Sequence, residues 1–535
     1  MSAVVAKPFG TLRASRRAFL QRGSALGLVA IAGSVVGAPQ IQTDFCSMGR
    51  GRSARLFLPG DRGYLGRLAP HGQPITLVAA PAGELPAGIV HGSRAYHVRH
   101  AGRDYVNPTL VVRRGERIQV RLVNRLDQPT ITHWHGLSVD THNDGAGTTL
   151  IGPGETYAYD FEVRERSSLY WYHPHPHGQT ALQLYGGLYG AIEVEDDDDA
   201  TLRKALDLVP GRSEITLVVQ DRRNDRSYTP SPLDLLHGFL GDAPYLNGTL
   251  CPHLDAASRV YRLRILNACN ARTLLLALRG SSAARIAFSI IGNDGGFLPA
   301  PQRVEQAFLA AAERLDILVD LRDAPIGEAI VLESLAFDPM HGENAGAMGA
   351  DHAGHEHGNA WPEGTARPLL QLRVRDRVAY DRPIPAMLSS IRPIDVADAR
   401  ERPFRLGYNK GRWRINDRVF VMGETPIEVA RDSTEVWLLR NYYTSMPHAM
   451  HLHGFHFEVL ERETSPDFIH ALAVDEHGRL PSDLGRKDTV LVWPGESVRV
   501  AIRFAMPFPG PQTYVFHCHN VEHEDGGMML GVKVA

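Results

Sequence analysis

The chain has 535 residues, of which 43% are hydrophobic, which is the size and composition of a soluble protein with about three domains. Its formal net charge is only −3, and this balance argues against a surface for nucleic acid or for an anionic membrane. No glycine-rich phosphate loop lies between a strand pattern and a helix pattern, so the sequence also argues against nucleotide chemistry.

The N-terminus carries the pattern of an export signal. It contains Ser15-Arg16-Arg17-Ala18-Phe19-Leu20, followed by small and apolar residues from Ser24 to about Ala38. This arrangement resembles a twin-arginine signal whose apolar part is too short to span a bilayer, and the alternative is a chance Arg-Arg pair. We expect residues 1–45 to be the signal region and N-terminal segment, used by the twin-arginine export machinery of a bacterium. The mature chain would then be a periplasmic or secreted monomer without a membrane segment.

A strand pattern that ends on an asparagine occurs three times along the chain. The copies lie at 117–124, 261–267 and 435–441. Each alternates apolar and polar residues, and a turn and a second strand follow roughly 30 to 55 positions later. These turns lie at 153–156, 312–314 and 494–497. Short alternating strands separated by Gly and Pro predict β-sandwich or Greek-key barrel units, so we expect three similar β-domains in tandem.

Two stretches separate these predicted domains. The acidic run at 195–199 is typical of a solvated linker, and a second boundary lies between about Asp376 and Arg402. We therefore place the domains at 46–197, 198–375 and 376–535, with a linker at the start of the last one.

Histidines occur in four His-x-His pairs. The pairs are His133 and His135, His173 and His175, His451 and His453, and His517 and His519. Eight imidazoles exceed the three or four ligands of a single copper ion and suit a cluster of three. Two pairs fall in the first predicted domain and two in the third. The cluster is therefore expected where these two domains meet, with the middle domain as a spacer.

A second ligand set overlaps the last of these pairs. Cys518, His523 and Met528 supply a thiolate, an imidazole and a thioether, and His448 offers a further imidazole. This is the ligand set of a blue copper centre with a weak axial methionine. On a strand, Cys518 would face this centre while the histidines on either side of it face the cluster. The alternative, satisfied core or surface histidines, would suit a single pair but not the full set.

Together these segments resemble the four ligand segments of the multicopper oxidases, and no ligand position of that family is missing. The similarity is to bacterial copper-efflux oxidases, laccases and bilirubin oxidases. It implies an all-β fold of three tandem cupredoxin-like Greek-key β-barrel domains and four coppers per chain. It also implies that a reducing substrate loses one electron at a time to a type 1 copper, while dioxygen is reduced to two waters at a trinuclear cluster.

The resemblance also assigns a copper to each ligand. The type 2 copper would take His133 and His451. The type 3 pair would take His135, His173, His175, His453, His517 and His519. The type 1 copper would take His448, Cys518, His523 and, axially, Met528. His177 fits no family position and is interpreted as a bystander.

Reduction of dioxygen to water consumes four protons, so a carboxylate near the cluster is expected to relay them. Asp144, nine residues after His135, and Glu524, directly after His523, lie in the appropriate segments. Copper-efflux oxidases carry acids at these motif positions, which is what the resemblance adds. The alternative for Asp144 is a cap of the turn at 143–145. We predict that both acids are catalytic.

The reducing substrate depends on two further segments. Residues 340–357 take the place of a methionine-rich insert of copper-efflux oxidases but contain more histidine than methionine, which suits Cu(II) better than Cu(I). An irregular loop that only shields the type 1 site is the alternative. Copper-efflux oxidases also place an Asp and a Met just before the type 1 histidine. Here Met446 fits, but Thr444 occupies the acidic position.

We therefore expect oxidation of phenols, as in a laccase. Periplasmic cuprous oxidation in copper tolerance is the alternative, and a metal-free exported scaffold protein is the alternative of another class. Once Cys518 is assigned to metal, Cys46, Cys251 and Cys269 remain. An odd number permits at most one disulfide among them, and at least one buried free thiol is expected.

Overall fold

Six β-sheets in three successive pairs make up the computed structural model, which describes residues 53–146, 149–341 and 361–535. The two sheets of each pair share an apolar core, which follows from the alternation of apolar and polar residues along their strands. The structure confirms the predicted all-β architecture of three tandem β-domains, whereas the predicted limits of those domains stay predictions. The export pattern, Cys46 and most of the 340–357 segment lie outside the described residues.

The first β-domain has a six-stranded and a five-stranded sheet. In spatial order, the strands of the first sheet are β1 (Gly63–Tyr64), β5 (Arg103–Val106), β4 (Arg94–His100), β3 (Ile75–Pro81), β7 (Arg117–Asn124) and β9 (Thr156–Glu162). Those of the second are β2 (Arg67–Leu68), β6 (Thr109–Arg113), β11 (Gly190–Glu195), β10 (Ser168–Pro174) and β8 (Thr132–His135). The first two histidine pairs lie on or directly after β8 and β10, at one edge of the second sheet.

The middle β-domain has a seven-stranded and a six-stranded sheet. The strands of the first are β14 (Thr249–Leu250), β13 (Ala243–Leu246), β12 (Glu214–Arg222), β16 (Val260–Asn267), β22 (Arg314–Asp320), β19 (Phe288–Asn293) and β20 (Gly296–Val304). Those of the second are β15 (His253–Ala257), β24 (Arg367–Asp376), β23 (Ala329–Ser334), β17 (Leu274–Arg279) and β18 (Arg285–Ile286), with β21 (Gln306–Leu309) also paired to β17.

The third β-domain has two five-stranded sheets. The strands of the first are β26 (Arg412–Ile415), β25 (Arg400–Asn409), β28 (Thr434–Asn441), β32 (Ser497–Arg503) and β30 (Phe457–Glu463). Those of the second are β27 (Ile427–Val429), β34 (Met529–Val534), β33 (Gln512–Cys518), β29 (His448–Leu452) and β31 (Thr489–Val492). The other two histidine pairs lie on or directly after β29 and β33, which are neighbours, as β8 and β10 are in the first domain.

The sequence repeat corresponds to one antiparallel strand pair in each domain. β7 pairs with β9, β16 with β22 and β28 with β32, and each first strand has a parallel neighbour on its other side. The closing residues Asn124, Asn267 and Asn441 are buried. Each side-chain amide donates hydrogen bonds to two main-chain carbonyl oxygens, one in the loop after its strand and one shortly before the paired strand. Because a buried amide needs such partners, this geometry explains the repeated asparagine.

Short helices connect the strands of the described residues. They are α1 (Thr141–Asp144), α2 (Thr180–Tyr185), α3 (Asp197–Leu206), α4 (Pro232–His237), α5 (Asp467–His470) and α6 (Val521–Asp525), with a turn of 3-10 helix at Pro481–Asp483. Within the three described ranges, no helix has the length and apolar character needed to cross a bilayer.

The acidic run at 195–199 is not the solvated linker that was predicted. Asp196 caps α3, and the acidic first turn of this helix is favourable at the positive end of the helix dipole. Asp199 is fully buried and forms ion pairs with Arg203 and Arg262. Elsewhere, Cys269 is a buried thiol without a disulfide bond, which confirms the expectation of at least one such residue.

Candidate metal centre

The eight paired histidines converge between the first and third β-domains. β8 pairs with β10 so that His133 lies opposite His173, and β29 pairs with β33 so that His451 lies opposite His517. All eight side chains are fully buried, with 0% of their surface exposed. The strand registers therefore bring imidazoles from four segments into one buried group, which we call the histidine cluster.

The rings of the histidine cluster form one continuous group. The centroids of His135, His173 and His519 lie 5.0, 5.2 and 5.6 Å apart, and those of His175, His453 and His517 lie 4.9, 5.1 and 5.1 Å apart. The remaining rings, His133 and His451, are stacked on His453 and His135 at centroid distances of 3.7 and 3.8 Å. The structure therefore brings all eight imidazoles together, and the division of these imidazoles between type 2 and type 3 coppers stays a prediction from the resemblance.

In four rings of the cluster, one nitrogen forms a hydrogen bond within the described part of the chain and the other does not. Four rings each donate one N–H to an acceptor outside the cluster. Three of the acceptors are main-chain carbonyl oxygens: that of Asp144 for His133 Nδ1 (2.7 Å), that of Pro174 for His173 Nδ1 (2.9 Å) and that of Asp488 for His451 Nδ1 (2.8 Å). The fourth acceptor is the carboxylate oxygen Asp488 Oδ1, which accepts from His135 Nε2 (3.1 Å). Among the described residues, the other nitrogen of each of these rings has no hydrogen-bond partner. Buried polar atoms of this kind are costly unless a bound species satisfies them, and a fixed tautomer is what a metal ligand needs.

Burial also favours the neutral form of two imidazoles in the cluster, His173 and His175. It lowers the pKa of His173 to about 3 and the pKa of His175 to about 4. Neutral imidazole is the form that binds a metal ion. The donor set, its tautomers and its protonation state therefore all fit copper.

A second buried site, which we call the mononuclear site, contains His448, Cys518 and His523, and the buried Met528 is next to it, since its main-chain carbonyl oxygen accepts a hydrogen bond from the Cys518 N–H at 3.1 Å. Cys518 Sγ lies 3.6 Å from His448 Nδ1 and 3.7 Å from His523 Nδ1, and all four side chains are 0% exposed. Burial raises the pKa of the Cys518 thiol to about 12 and lowers the pKa of His448 to about 3. A buried thiol of this kind ionises when a metal cation binds it, so these donors also fit copper.

One segment of the chain serves both sites. Cys518 lies in the mononuclear site, whereas its neighbours His517 and His519 belong to the histidine cluster. This alternation is expected for successive side chains of an extended segment. The two sites are thus connected by a few covalent bonds. His177, in contrast, packs against Phe420 and belongs to neither site.

Asp144, at the end of α1, contacts the histidine cluster. Its Oδ2 lies 2.9 Å from His453 Nδ1, and its Oδ1 lies 3.6 Å from His133 Nδ1. The cap of α1 is Asp140, so the Asp144 side chain faces the cluster rather than capping its turn. Burial, reinforced by Asp140, raises the pKa of Asp144 well above its usual range. This shift favours a protonated carboxyl group beside the imidazoles.

Glu524 contacts the histidine cluster from α6, the short helix between β33 and β34. Its Oε2 lies 3.2 Å from His517 Nδ1, and its Oε1 lies 3.5 Å from His175 Nε2. Burial alone would raise the pKa of Glu524, but His175 and His517 more than offset this and hold it well below its usual range. The two predicted acids therefore both lie against cluster imidazoles, in different electrostatic surroundings.

Two charged residues at the cluster, Asp488 and Arg314, were not predicted from the sequence. Asp488 directly precedes β31, and Arg314 begins β22 in the middle domain; the two form a buried ion pair at 2.5 Å. Burial alone would raise the pKa of Asp488, but Arg314 and His135 hold it well below its usual range. The middle domain is therefore more than the spacer that was predicted. A single buried arginine has no characteristic spacing, so only the folded chain reveals it.

The mononuclear site is covered by α4 and β26. The main-chain carbonyl oxygen of Leu236 accepts hydrogen bonds from His523 Nε2 and from Trp413 Nε1, both at 2.8 Å. The Trp413 ring lies 4.7 Å from the His448 ring and 4.9 Å from the His523 ring. Tyr408, opposite Trp413 in the strand pair, is 40% exposed, with ring centroids 5.0 Å apart. An aromatic pair thus leads from the buried ligands to the surface.

A cleft beside the mononuclear site contains further metal-binding side chains. His237, His341, Glu363 and Met446 line it, and the rings of His237 and His341 lie 4.6 Å apart. From the sequence, only Met446 and the 340–357 segment, which contains His341, were singled out. Imidazole, carboxylate and thioether groups are side-chain types that bind copper, and all three types line this cleft.

Comparison with known proteins agrees with this geometry. Two family models described as multicopper oxidase match residues 90–199 and 395–535. The similar proteins include multicopper oxidase mco of Staphylococcus haemolyticus, which is 28% identical over 434 residues covering 80% of this chain and 82% of that protein. They also include a laccase of Bacillus subtilis, which is 29% identical over 491 residues covering 80% of this chain and 88% of that protein.

Solved structures give the same result. The McoA multicopper oxidase from the hyperthermophile Aquifex aeolicus is 33% identical, with a TM-score of 0.78, over 90% of this chain and 99% of that one. Multicopper oxidases are built from cupredoxin-like β-domains, so the predicted fold class is confirmed. Because this likeness extends over nearly the whole of both chains, the protein belongs to the multicopper oxidase family, whose members are copper-dependent oxidoreductases.

Proposed function

We propose that the protein is a laccase-type oxidase, which takes single electrons from phenols and reduces dioxygen to two waters. The observation that carries this proposal is the segment 517–519, which connects the mononuclear site with the histidine cluster. Oxidation of a donor at one site and reduction of dioxygen at another require such a short covalent connection. A storage or electron-transfer protein would need the mononuclear site alone, and a metal-free scaffold would need neither.

The two sites would together hold four coppers. We assign the type 2 copper to His133 and His451, the type 3 pair to His135, His173, His175, His453, His517 and His519, and the type 1 copper to His448, Cys518, His523 and Met528. When bound, the coppers accept electrons singly and together supply the four that dioxygen requires. The chain contributes buried, neutral imidazoles whose orientation is set before metal binds.

Asp144 and Glu524 are the proposed catalytic acids. Each is fully buried and touches imidazoles of the histidine cluster. Among the described residues, Asp144 Oδ1 and both carboxylate oxygens of Glu524 have no hydrogen-bond partner. Asp144, whose pKa is raised, would hold a proton next to the site that consumes it, and Glu524, whose pKa is lowered, would accept protons and pass them on.

Two observations favour a phenol as the electron donor. Thr444 is exposed and occupies the position where a cuprous site would need a carboxylate. Tyr408 and Trp413 offer an aromatic surface beside the ligand rings, on which another aromatic ring can stack. Cuprous oxidation is the second candidate. It is favoured by the cleft of His237, His341, Glu363 and Met446, because imidazole and thioether groups are ligands for copper.

Metal analysis, absorption and oxygen uptake test the proposal. The copper-loaded protein is expected to bind four coppers and to show an intense blue thiolate-to-copper band. Oxygen uptake should be compared for phenols, bilirubin and Cu(I) at equal concentrations, with four phenols consumed per dioxygen. One copper per chain, or a colourless Cu(II)-loaded protein, would overturn the proposal. Faster uptake with Cu(I) than with any phenol would establish the second candidate instead.

We also propose export by the twin-arginine route, with the mature monomer acting in the periplasm or outside the cell. The pattern at 15–20 supports this. Fusion of residues 1–45 to a reporter tests it. Replacement of Arg16 and Arg17 by lysine keeps the charge and should abolish export, whereas unchanged export would contradict the proposal.

A further inference from the structure

Asp488 contacts two histidines that are assigned to different coppers. Its Oδ1 accepts a hydrogen bond from His135 Nε2 at 3.1 Å, and its main-chain carbonyl oxygen accepts one from His451 Nδ1 at 2.8 Å. The opposite nitrogens, His135 Nδ1 and His451 Nε2, are buried and have no hydrogen-bond partner among the described residues. One residue therefore sets the tautomer and the orientation of two rings.

Arg314, in the middle domain, holds the Asp488 carboxylate in place. Its Nη1 donates to Asp488 Oδ1 at 2.8 Å and its Nη2 donates to Oδ2 at 2.5 Å. The other guanidinium hydrogen bonds go to the carbonyl oxygens of Leu169 (2.9 Å), Ala312 (3.1 Å) and Asp294 (3.1 Å). All five N–H groups of the arginine thus have acceptors. These acceptors belong to all three β-domains, and the bidentate pair fixes the plane of the carboxylate.

Gly136, which directly follows His135, makes room for this ion pair. Its φ is +86°, a conformation that favours glycine. A Cβ atom at this position would lie 2.6 Å from Asp488 Oδ2 and 2.9 Å from Arg314 Nη2. The glycine that ends the first ligand segment is therefore required by the ion pair as well as by its own backbone conformation.

From these contacts we infer that Asp488 is a positioning residue for the trinuclear copper site, and that the middle domain acts on this site through Arg314. The inference rests on the proposed function, since the role concerns bound copper. An imidazole that donates its outer N–H to a carboxylate is oriented and is made a stronger donor to the metal. Both oxygens of Asp488 are engaged by Arg314, so its carboxylate acts through His135 rather than as a ligand.

Asp488→Asn is the decisive variant, and Asp483→Asn is its matched control. The asparagine keeps the shape of the side chain, but its amide cannot accept from Arg314 at both positions. Asp483 is also buried in the third domain and also forms a bidentate pair, at 2.6 and 2.9 Å, but its partner is Arg462. Both substitutions disturb a buried ion pair, and only the first one touches cluster histidines.

In copper-loaded Asp488→Asn we expect about 10- to 100-fold weaker copper binding in the histidine cluster. The hyperfine splitting of the type 2 copper in electron paramagnetic resonance should also shift, because Asp488 Oδ1 lies 3.5 Å from His451 Nδ1 and the substitution removes its negative charge. The blue band should persist, since the mononuclear site does not use Asp488. Asp483→Asn should lower the melting temperature and leave the copper content and the type 2 spectrum as in the wild type.

The outcomes separate this inference from the proposed function. A wild-type protein without four coppers or without a blue band refutes the proposed function. A normal wild type, together with an unchanged copper affinity and type 2 spectrum in Asp488→Asn, refutes the inference alone. If Asp488→Asn does not fold, Thr489→Val gives the answer, because Thr489 Oγ1 donates to Asp488 Oδ1 at 2.9 Å and lies 3.2 Å from His451 Nδ1. This nearly isosteric change should shift the type 2 spectrum by a smaller amount, and no shift overturns the inference.

Discussion

Replacement of Glu524 by glutamine is expected to slow dioxygen reduction without slowing electron uptake. Glutamine keeps the volume and one oxygen of a side chain that is 0% exposed, but it cannot deliver a proton. Loss of a positioned group that transfers protons costs about 10²- to 10⁴-fold in rate, or about 3 to 5 kcal/mol of activation free energy. Asp144 contacts other imidazoles of the same cluster and remains in place. We therefore expect the lower end of this range, about 10²-fold.

Single-turnover kinetics measure the two half-reactions separately. Reoxidation of the fully reduced enzyme by dioxygen should slow, whereas anaerobic bleaching of the blue band by substrate should not. Glu522→Gln is the matched control, because Glu522 is buried on the same helix but accepts from Asn270 and from the Phe239 N–H instead of contacting the cluster. Wild-type reoxidation in Glu524→Gln at every pH would refute the role. Equal slowing by both variants would point to a disturbed α6.

Three further predictions concern the mononuclear site. Cys518→Ser should abolish the blue band and turnover but leave about three coppers bound, because the cluster histidines lie on the other face of their segment. Copper analysis and electron paramagnetic resonance check this prediction, and loss of all copper would contradict it. Trp413→Phe should keep the packing on His448 and His523 but lose the hydrogen bond to Leu236, which lowers stability by about 1 kcal/mol and is measured by thermal unfolding. If residues 342–357 shield the mononuclear site, their deletion should raise the turnover of bulky phenols relative to small ones. A deletion variant with impaired Cu(I) oxidation and unchanged phenol kinetics would instead favour the cuprous role.

The fold could be predicted from the sequence because the repeat has a local physical cause. Alternating strands such as 117–124 bury one face, and the closing asparagine satisfies the same two carbonyl positions in every domain. The acidic run at 195–199 was misinterpreted because composition alone does not distinguish a solvated linker from a helix N-terminus. Whether Asp199 is buried depends on Arg203 and Arg262, and Arg262 is 63 positions away in the sequence.

The proposed metal ligands could be recognised in the sequence because their spacing is short and their side chains are unusual. His-x-His pairs and the interval from Cys518 to Met528 are visible without a fold. The residues that hold these ligands in place have no such pattern. Asp488 and Arg314 are 174 positions apart, and the contribution of Leu236 is a main-chain carbonyl oxygen that any residue would supply. Only tertiary structure brings them to the two sites.

The fold also decides which nitrogen of each imidazole faces the metal, which no motif specifies. His523 donates its Nε2–H to the Leu236 carbonyl oxygen and turns Nδ1 toward Cys518 Sγ. His135 donates Nε2–H to Asp488 and leaves Nδ1 bare, whereas His451 donates Nδ1–H to the same residue and leaves Nε2 bare. Two of these three acceptors depend on the middle domain. The Leu236 carbonyl oxygen belongs to it, and the Asp488 carboxylate is held by Arg314 of that domain. A domain that carries none of the proposed type 1, type 2 or type 3 ligands therefore takes part in orienting those ligands at both sites.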